Sequence, residues 1–517
     1  MKKNFVYILS FALLFTTILS FNYFQSLSQH WSSIIDFDLT VIYNSLQIIS
    51  GQEQDFREHP GYSQFLIYGF FFKILALFDS SIIENVDQLL QAKNINDSIG
   101  KLFFIGRFAN TIFLLFTIIF FSKICKLFEI KDELILFGAV SLVISKTGID
   151  NLLILRADII AVTFMLGSIY YILSFIKCEQ KLYKLLISSF FLVLSLLAKI
   201  QIIILLIFIL AIIPFFIKNE YNEKLNQSII LRYFNFYLVF YILIFTSYLI
   251  LQYFIYSHPR FEDQNYIDVS VFIFFNVVYF IYLFFISLKK KNLIKVIFSI
   301  LILLLLGVIL SLGFLLLLSY FEIFKLSPYI LMRLTNPFYY LKVYSPLSVS
   351  KIELSFIANF VSTMFNGLII NIKSLLILIV AVSYSLRKDL YSHKKKDFEY
   401  KIIFFISIMM ILFSFNLRYL VIYDMYYLPF YYLLIIMCLN DFKKPFLILS
   451  IVIIFLANNQ LFFKKYDHLK LSFKRSSNLN IICTNKETRK FIWWWARGLD
   501  ENFFKRMCNQ EKIKFIN

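Results

Sequence analysis

The sequence predicts an all-α polytopic membrane protein, and its composition carries most of that prediction. Of the 517 residues, 60% are hydrophobic and 16% are charged, whereas a soluble protein has about 45–50% apolar and about 25% charged residues. The chain also contains 64 Phe and 33 Tyr against only 12 Gly. Cores of ordinary size cannot bury so much apolar surface, so lipid must be its main solvent. Intrinsic disorder, fibrous repeats and a secreted disulfide scaffold are excluded.

A basic pair followed by an apolar run opens the chain. Lys2 and Lys3 precede an apolar stretch at about 5–24, which has the length of a membrane span and lacks a small-x-small cleavage site. We therefore expect an uncleaved signal anchor with its N-terminus in the cytoplasm. Further runs suited to spanning lie at roughly 102–121, 133–149, 158–176, 183–198, 200–217, 232–255, 269–288, 292–319, 369–386, 402–416, 419–439 and 445–462.

The stretch 62–79, which is short and carries Lys73, decides the topology. If this stretch does not span, every lysine-rich connector lies in the cytoplasm, as the positive-inside rule requires; if it does span, every one lies outside. We therefore predict a juxtamembrane or re-entrant element at 62–79 and about 13 spanning helices in total. The connectors carry Lys123/Lys126/Lys131, Lys177/Lys181/Lys184, Lys289–Lys291, Lys394–Lys396 and Lys443/Lys444.

Three longer segments then face outward and define the predicted domains. Residues 25–101 form a first outer loop with amphipathic juxtamembrane helices, and residues 320–368 form a late outer loop. Both belong to a membrane domain at 1–462. Residues 463–517 form a small C-terminal tail, which we place on the outer side because long polar segments follow the positive-inside rule less strictly.

The charge and the cysteines exclude several function classes. The net charge is +19, but the lysines lie in short connectors, which is typical of membrane topology rather than of nucleic-acid binding. The chain contains no CxxC pair, HExxH, GxxxxGK or GxGxxG sequence. In an oxidising compartment Cys483 and Cys508 could form a disulfide. The longest predicted cytoplasmic loop, 387–401, is too short to fold as a nucleotide-binding domain.

Acidic residues gather directly after the first predicted span. The stretch 38–51 has helical apolar spacing, and we expect it to lie on the membrane surface as an amphipathic helix. Asp36 and Asp38 stand at the N-terminus of this helix. These aspartates could cap that helix, or could take a proton from an incoming hydroxyl at the bilayer boundary. Further along the loop, Glu58 and His59 precede the next helix, and His59 could equally be catalytic or an interfacial hydrogen-bonding residue.

A second set of charged residues faces the same side under this topology. Arg156 and Asp158 stand at the start of a helix, where they could form a local ion pair and a cap or contribute to a site. Arg107 lies in the first turns of an apolar helix, where a charge is costly and is usually functional unless it snorkels to the headgroups. Lys199 and Arg418 occupy two outer turns. Such cations suit an anionic phosphate where water is scarce.

These polar motifs follow one another along the chain in the order Asp38 to Gly51, His59-Pro60-Gly61, Arg107-Phe108-Ala109-Asn110, Arg156 with Asp158, Ala198-Lys199, and Arg418-Tyr419 ahead of Pro429. The series resembles the GT-C superfamily of integral-membrane glycosyltransferases, which use polyprenyl-phosphate-linked sugars and include protein O-mannosyltransferases and the aminoarabinose transferases of lipid A. The resemblance covers about the first 220 residues closely and the rest loosely.

The resemblance implies a GT-C-like helical bundle and a role for each motif. Asp38 or Asp36 matches the first-loop acidic residue that acts as general base toward the acceptor, and Asp158 matches the second-loop acidic position near the active site. The donor phosphate would be handled by Arg107, Lys199 and Arg418. The chain departs from the Asp-Glu and His-Pro-Pro strings of many members, since it has Asp36-Phe37-Asp38 and His59-Pro60-Gly61. Which aspartate is the base therefore stays open.

The implied function is transfer of a hexosyl or pentosyl group from a polyprenyl-phosphate donor to a lipid, glycan or protein acceptor. It would take place on the outer face of the bacterial inner (cytoplasmic) membrane, facing the periplasm or exterior. The sequence requires no cofactor, although carboxylates near a phosphate could hold Mg²⁺ or Mn²⁺. The expected partners are the donor, membrane lipids and the acceptor, and nucleic acid is not expected.

Two other functions remain open from the sequence. A transporter or lipid flippase could line its path with charges such as Arg107, but such proteins usually carry internal repeats and helices broken by Gly or Pro. A lipid-linked glycan polymerase or ligase would concentrate Arg and His in one large late loop. The 320–368 loop contains Arg333 and lacks His.

Overall fold

The architecture is taken from a computed structural model, which describes residues 31–33, 38–55, 61–177, 181–199, 202, 293–326, 425–426, 428–440 and 479–516. Of these described residues 79% are helical, and none of them lies in a strand. The all-α prediction is therefore confirmed for this part of the chain.

The helices carry the labels used below. They are α1 (Asp38–Ile49), α2 (Tyr62–Ala76), α3 (Val86–Gln91), α4 (Ile95–Leu127), α5 (Asp132–Ile144), α6 (Lys146–Leu153), α7 (Asp158–Lys177), α8 (Leu182–Ala198), α9 (Leu293–Tyr320), α10 (Leu428–Leu439), α11 (Leu479–Thr484), α12 (Lys486–Trp495) and α13 (Glu501–Gln510).

Three described helices are long and apolar enough to cross a membrane, which indicates a membrane protein: Ile95–Leu127, Asp158–Lys177 and Val296–Tyr320. The first extends the predicted span by several residues at both ends, and the other two match their predictions closely. The total of about 13 spans stays a prediction. The runs at 5–24, 200–217, 232–255, 269–288, 369–386, 402–416 and 445–462 lie outside the described residues, apart from residue 202.

The predicted span at 133–149 is wrong as a continuous helix. α5 ends at Ile144 and α6 begins at Lys146. Between them Ser145 has an extended backbone (ψ 146°), and its hydroxyl accepts a hydrogen bond from the Gly148 N–H at 3.0 Å. Serine competes with the backbone in this way, so it favours a helix boundary over a helix interior.

Small residues let the long helices pack closely. The hydroxyls of Thr117 on α4 and Thr163 on α7 lie 2.6 Å apart, and those of Ser168 and Ser188 join α7 to α8 at 2.8 Å. On α9, a Cβ added at Gly307 would lie 2.4 Å from the Ser189 hydroxyl oxygen. Such contacts are typical of helix association in lipid, where apolar burial alone gives little driving force.

The helices place lysines at one end of the bundle, called here the basic end. Lys177, at the end of α7, donates to the Leu127 carbonyl at 3.2 Å, and Lys184, near the start of α8, donates to Ser174 at 2.9 Å. At the same end, the backbone N–H of Lys131, just before α5, donates to the side-chain oxygen of Asn440 at 2.9 Å. Two of the five predicted lysine clusters thus share one end, and the other three lie outside the described residues.

The opposite end, called here the site end, contains the start of α4, the start of α7 and the ends of α8 and α9. α2 contacts this end at both of its own termini. Tyr62 donates to the Lys325 carbonyl just after α9, and beyond the far end of α2 the Ser81 hydroxyl accepts a hydrogen bond from Lys101 in α4 at 2.6 Å. The interpretation of 62–79 as a juxtamembrane or re-entrant element stays a prediction.

α1 forms where the sequence predicts a helix, but it lacks the exposed polar face expected of an amphipathic helix; its position at the membrane surface stays a prediction. All twelve of its residues are buried, so it has no exposed polar face. α2 covers one side of the helix, because Gly69 allows close approach to the Ser45 carbonyl and to Ile49. The C-terminal tail covers another side, where Asn44 donates to the Trp495 carbonyl at 2.9 Å.

Replacing Gly69 by Ala is expected to lower the free energy of unfolding by about 1–3 kcal/mol, the usual cost of overpacking. The new Cβ would lie 2.8 Å from the Ser45 carbonyl oxygen, a backbone atom that cannot rotate away. Thermal unfolding in detergent measures the change. Gly100→Ala is the matched control, because a Cβ there meets nothing within 4 Å; equal melting temperatures for the two variants would contradict the prediction.

The tail folds as three short helices held by a disulfide and a buried arginine. Cys483 and Cys508 are bonded, a pairing that the sequence allowed for a tail in an oxidising compartment. Arg489 donates to the carbonyls of Ile482 at 3.1 Å and Cys483 at 2.8 Å, and its guanidinium stacks 4.3 Å from the centre of the Phe515 ring. These bonds satisfy the carbonyls that the end of α11 would otherwise leave without partners.

The tail packs on α1 and on the start of α4. The Gly498 N–H donates to the Tyr43 hydroxyl at 3.1 Å, and Asn96 donates to the Met507 carbonyl at 3.1 Å. Burial, with help from the nearby Asp55 carboxylate, raises the pKa of Tyr43 to about 12, so the hydroxyl stays protonated at neutral pH. The tail and the first loop therefore lie on the same side of the bundle.

Removing the disulfide by Cys483→Ser and Cys508→Ser is expected to lower the free energy of unfolding of the tail by about 3.5 kcal/mol. The sequence separation is 25, and the chain-entropy model gives this value for a loop of that size. Tryptophan fluorescence during thermal unfolding measures the loss. A reductant should destabilise the native protein by the same amount and leave the double variant unchanged; a native protein insensitive to reductant would refute the prediction.

Candidate functional site

Asp38 is the first residue of α1 and reaches across to the turn before α7. Its side chain is 2% exposed, and its Oδ2 accepts a hydrogen bond from the Leu155 N–H at 3.2 Å. A carboxylate this deeply buried is costly unless hydrogen bonds and opposite charges compensate it. Asp38 therefore does more than cap its own helix, since it joins the first loop to the segment that leads into α7.

Arg107 carries an opposite charge that acts on Asp38. The Asp38 carboxylate interacts electrostatically with the guanidinium, which lies 5.8 Å from the centre of the Phe103 ring. Arg107 is 2% exposed, so it does not snorkel to the surface. Gly106, next to Arg107, lets α4 approach Leu155 closely. This close approach places Arg107 near the turn that precedes α7.

Asp158, at the start of α7, has two partners from distant parts of the chain. Its Oδ2 lies 3.7 Å from the Lys199 ammonium nitrogen, and its Oδ1 accepts a hydrogen bond from the Tyr426 hydroxyl. Asp158 and Lys199 are 0% and 2% exposed. From the sequence, Asp158 could have formed a local ion pair with Arg156. In the structure it instead forms an ion pair with Lys199, which directly follows α8.

A chain of hydrogen bonds holds the segment between the two aspartates. The Tyr68 hydroxyl donates to Asn110 at 2.6 Å, and the amide of Asn110 donates to the carbonyls of Asn151 at 2.9 Å and Ile154 at 3.0 Å. α2 and α4 thereby fix the turn that carries Leu155 to Asp158. Asp38 accepts a hydrogen bond from Leu155 in this turn, and Asp158 directly follows the turn as the first residue of α7. The same short turn therefore positions both carboxylates.

The structure brings together four of the predicted site residues: Asp38, Arg107, Asp158 and Lys199. Arg156 lies on the same turn, half-buried. Asp36, Glu58, His59 and Arg418 lie outside the described residues, so their predicted roles stay predictions.

Sequence reasoning gave no site role to Tyr68, Asn110 or Tyr426, although Asn110 closes the Arg107-Phe108-Ala109-Asn110 motif. Asn110 could have been found, because an amide within an apolar helix needs partners. Tyr426 carried no such signal, since it is one of 33 tyrosines and lies in an aromatic run.

The arrangement offers a buried carboxylate beside an arginine and a second carboxylate beside a lysine, within one end of a helical bundle. Such a set can move a proton and can stabilise a negatively charged leaving group. Within the described ranges, no group of three or more His, Cys, Asp or Glu side chains could hold a metal ion. Comparison with protein-family models, curated proteins and solved structures gives no match for this chain. The functional assignment therefore depends on the geometry of the site.

Proposed function

We propose that the protein transfers a sugar from a polyprenyl-phosphate-linked donor to an acceptor at the membrane surface. The observation that supports this proposal is the presence of two buried aspartates and two buried cations at the site end. Asp38 interacts electrostatically with Arg107, and Asp158 forms an ion pair with Lys199. A lipid-linked phosphate would reach such a site from the bilayer, because its headgroup lies at the depth where helices such as α4 leave the hydrocarbon core.

In the proposed reaction Asp38 takes the proton of an acceptor hydroxyl or amine as that group attacks the anomeric carbon. The new bond joins the acceptor to the sugar, and the bond between the anomeric carbon and the phosphate oxygen breaks. The departing polyprenyl phosphate keeps the electron pair, and Arg107 and Lys199 stabilise its charge. A single displacement inverts the anomeric centre. Asp158 keeps Lys199 in place for this role.

The proposal includes a membrane orientation and a fold. The positive-inside rule assigns the basic end to the cytoplasm, so the site end and the tail would face the periplasm or exterior of a bacterial inner membrane. Oxidising conditions on that side suit the disulfide of the tail. The proposed fold is a GT-C-like bundle of about 13 spanning helices.

The lipids of a strain that lacks the gene test the proposed function. We expect one polyprenyl-phosphate sugar to accumulate and one glycan, lipid or protein to lose that sugar, with both changes reversed by the wild-type gene. The purified protein in detergent should then transfer the accumulated sugar to the missing acceptor. A flippase would cause a similar accumulation but no transfer in detergent, where there are no two compartments. An unchanged lipid pool would refute any role in lipid-linked sugar metabolism.

A further inference from the structure

One short segment of the tail, residues 495–498, contacts α1 and is called here the clasp. The Asn44 amide donates to the Trp495 carbonyl at 2.9 Å, and the Gly498 N–H donates to the Tyr43 hydroxyl at 3.1 Å. Tyr43 and Asn44 are 3% and 0% exposed. Breaking a bond to such a buried group is costly, because water does not replace the lost partner. The clasp therefore fixes the middle of α1.

Asp55 joins the clasp to the last turn of α1. Its Oδ2 accepts hydrogen bonds from the Arg497 N–H at 2.8 Å and from the Gln47 side chain at 3.1 Å. The Asp55 N–H donates to the side-chain oxygen of the same glutamine at 3.1 Å. One carboxylate thus contacts both the helix and the tail, so the clasp is bonded to α1 along its C-terminal half.

The clasp fits against α1 without room for a larger residue. A Cβ added at Gly498 would lie 2.1 Å from the Tyr43 hydroxyl oxygen and 3.1 Å from the ring carbon that carries it. Gly498 does not have a positive φ, so this contact, and not the backbone, excludes alanine. Tyr43→Phe would remove the oxygen and leave the 3.1 Å contact, which a shift of a few tenths of an ångström relieves.

A second contact of the tail reaches the helix that carries Arg107. Asn96, at the start of α4, donates to the Met507 carbonyl at 3.1 Å and accepts a hydrogen bond from the Trp31 indole at 3.3 Å. The centres of the Trp31 and Phe103 rings are 5.8 Å apart, and the Arg107 guanidinium lies 5.8 Å from the centre of the Phe103 ring. The tail therefore contacts both α1 and the part of α4 that precedes Arg107.

We propose that Tyr43 and Gly498 are positioning residues for Asp38. Their contact fixes α1 against the tail, and the tail fixes α1 relative to α4 and Arg107. α1 has 12 residues, and its backbone hydrogen bonds make so short a helix move as a unit, so a shift of its middle also moves its first residue. The inference rests on the proposed function, in which Asp38 is the base. A misplacement of about 1 Å can lower a rate by about 10²-fold.

Transfer rates of the full chain in detergent test this role. Gly498→Ala should lower kcat by about 10- to 100-fold with KM changed little, because the displaced group is the base. Tyr43→Phe/Gly498→Ala should recover most of the rate, and Gly100→Ala, where a Cβ meets nothing within 4 Å, should leave it unchanged. In the Asp38→Asn background Gly498→Ala should have no further effect. A loss of folded protein would lower the rate equally in both backgrounds.

Hydrogen exchange of the Leu155 amide distinguishes failure of this proposal from failure of sugar transfer. This N–H donates to the Asp38 carboxylate at 3.2 Å, and it belongs neither to α1 nor to the tail. Its exchange, measured by mass spectrometry on a peptide that covers it, therefore reports the position of the carboxylate without any substrate. Gly498→Ala should speed this exchange, and Tyr43→Phe/Gly498→Ala should return it close to the native rate.

Unchanged exchange at Leu155 in Gly498→Ala would overturn the proposal, even if the tail itself exchanges faster. Faster exchange without a change in kcat would also overturn it, because the position of Asp38 would then not limit transfer. If the native protein transfers no sugar but exchange responds as expected, only the proposed function fails. If Gly498→Ala does not fold, Tyr43→Phe alone replaces it, since that variant removes the acceptor of the Gly498 N–H and should speed exchange at Leu155 by a smaller factor.

Discussion

Asp38→Asn is expected to lower the rate of sugar transfer by a factor of about 10²–10⁴, the usual contribution of a general base. The amide cannot take the acceptor proton. Its oxygen can still accept the hydrogen bond from the Leu155 N–H, which the carboxylate accepts at 3.2 Å in the native protein. The contact with Leu155 is therefore retained, and the melting temperature of the variant shows whether losing the charge near Arg107 affects folding. Initial rates in detergent, with donor and acceptor both saturating, measure the change.

Asp87→Asn is the matched control for this variant. Asp87 stands in the first turn of α3 in the same loop and is exposed, so the same chemical change there should leave the rate within about twofold, as is usual for a surface substitution. Near-normal transfer by Asp38→Asn, with a normal melting temperature, would remove Asp38 from the role of base and leave Asp36 as the candidate.

Lys199→Met is expected to lower the free energy of unfolding by about 3–5 kcal/mol, because it leaves the buried Asp158 without its cation. The two groups are almost fully buried and 3.7 Å apart, so water cannot replace the lysine. Methionine has a similar length, which keeps the packing effect small. Thermal and urea unfolding in detergent, followed by the emission of the native tryptophans, measure the loss.

A second variant distinguishes a charge effect from a packing effect. Combining Lys199→Met with Asp158→Asn should recover much of the stability, since both charges are then absent. If the double variant is no more stable than Lys199→Met alone, the ion pair is not the cause.

The positions of the long helices could be predicted from the sequence because lipid imposes a simple rule. A run of about 20 apolar residues must form a helix there, and α7, α8 and α9 begin and end within one or two residues of their predictions. Burial could not be predicted for α1. Its amphipathic pattern suggests a free surface, and the tail that covers it lies more than 400 positions further along the chain.

Four residues that come together at the site end could be singled out in the sequence, because a charge next to an apolar helix is conspicuous. Arg107, Asp158 and Lys199 all interrupt hydrophobic runs. Their pairing could not be predicted, because it depends on how α4, α7 and α8 pack. Nothing in the sequence distinguishes Tyr426, because its ring suits lipid as well as any other aromatic side chain. Only the structure shows that its hydroxyl donates a hydrogen bond to Asp158.

The docking of the tail on α1 has a consequence for biosynthesis. The tail is made more than 400 positions after α1 and completes the enclosure of that helix, through hydrogen bonds such as those from Asn44 to the Trp495 carbonyl and from the Gly498 N–H to the Tyr43 hydroxyl. The apolar surface of α1 is therefore exposed until the tail has been synthesised and has docked. A chain stopped shortly before Leu479 would leave that surface open to proteases and chaperones, however well its membrane helices had inserted.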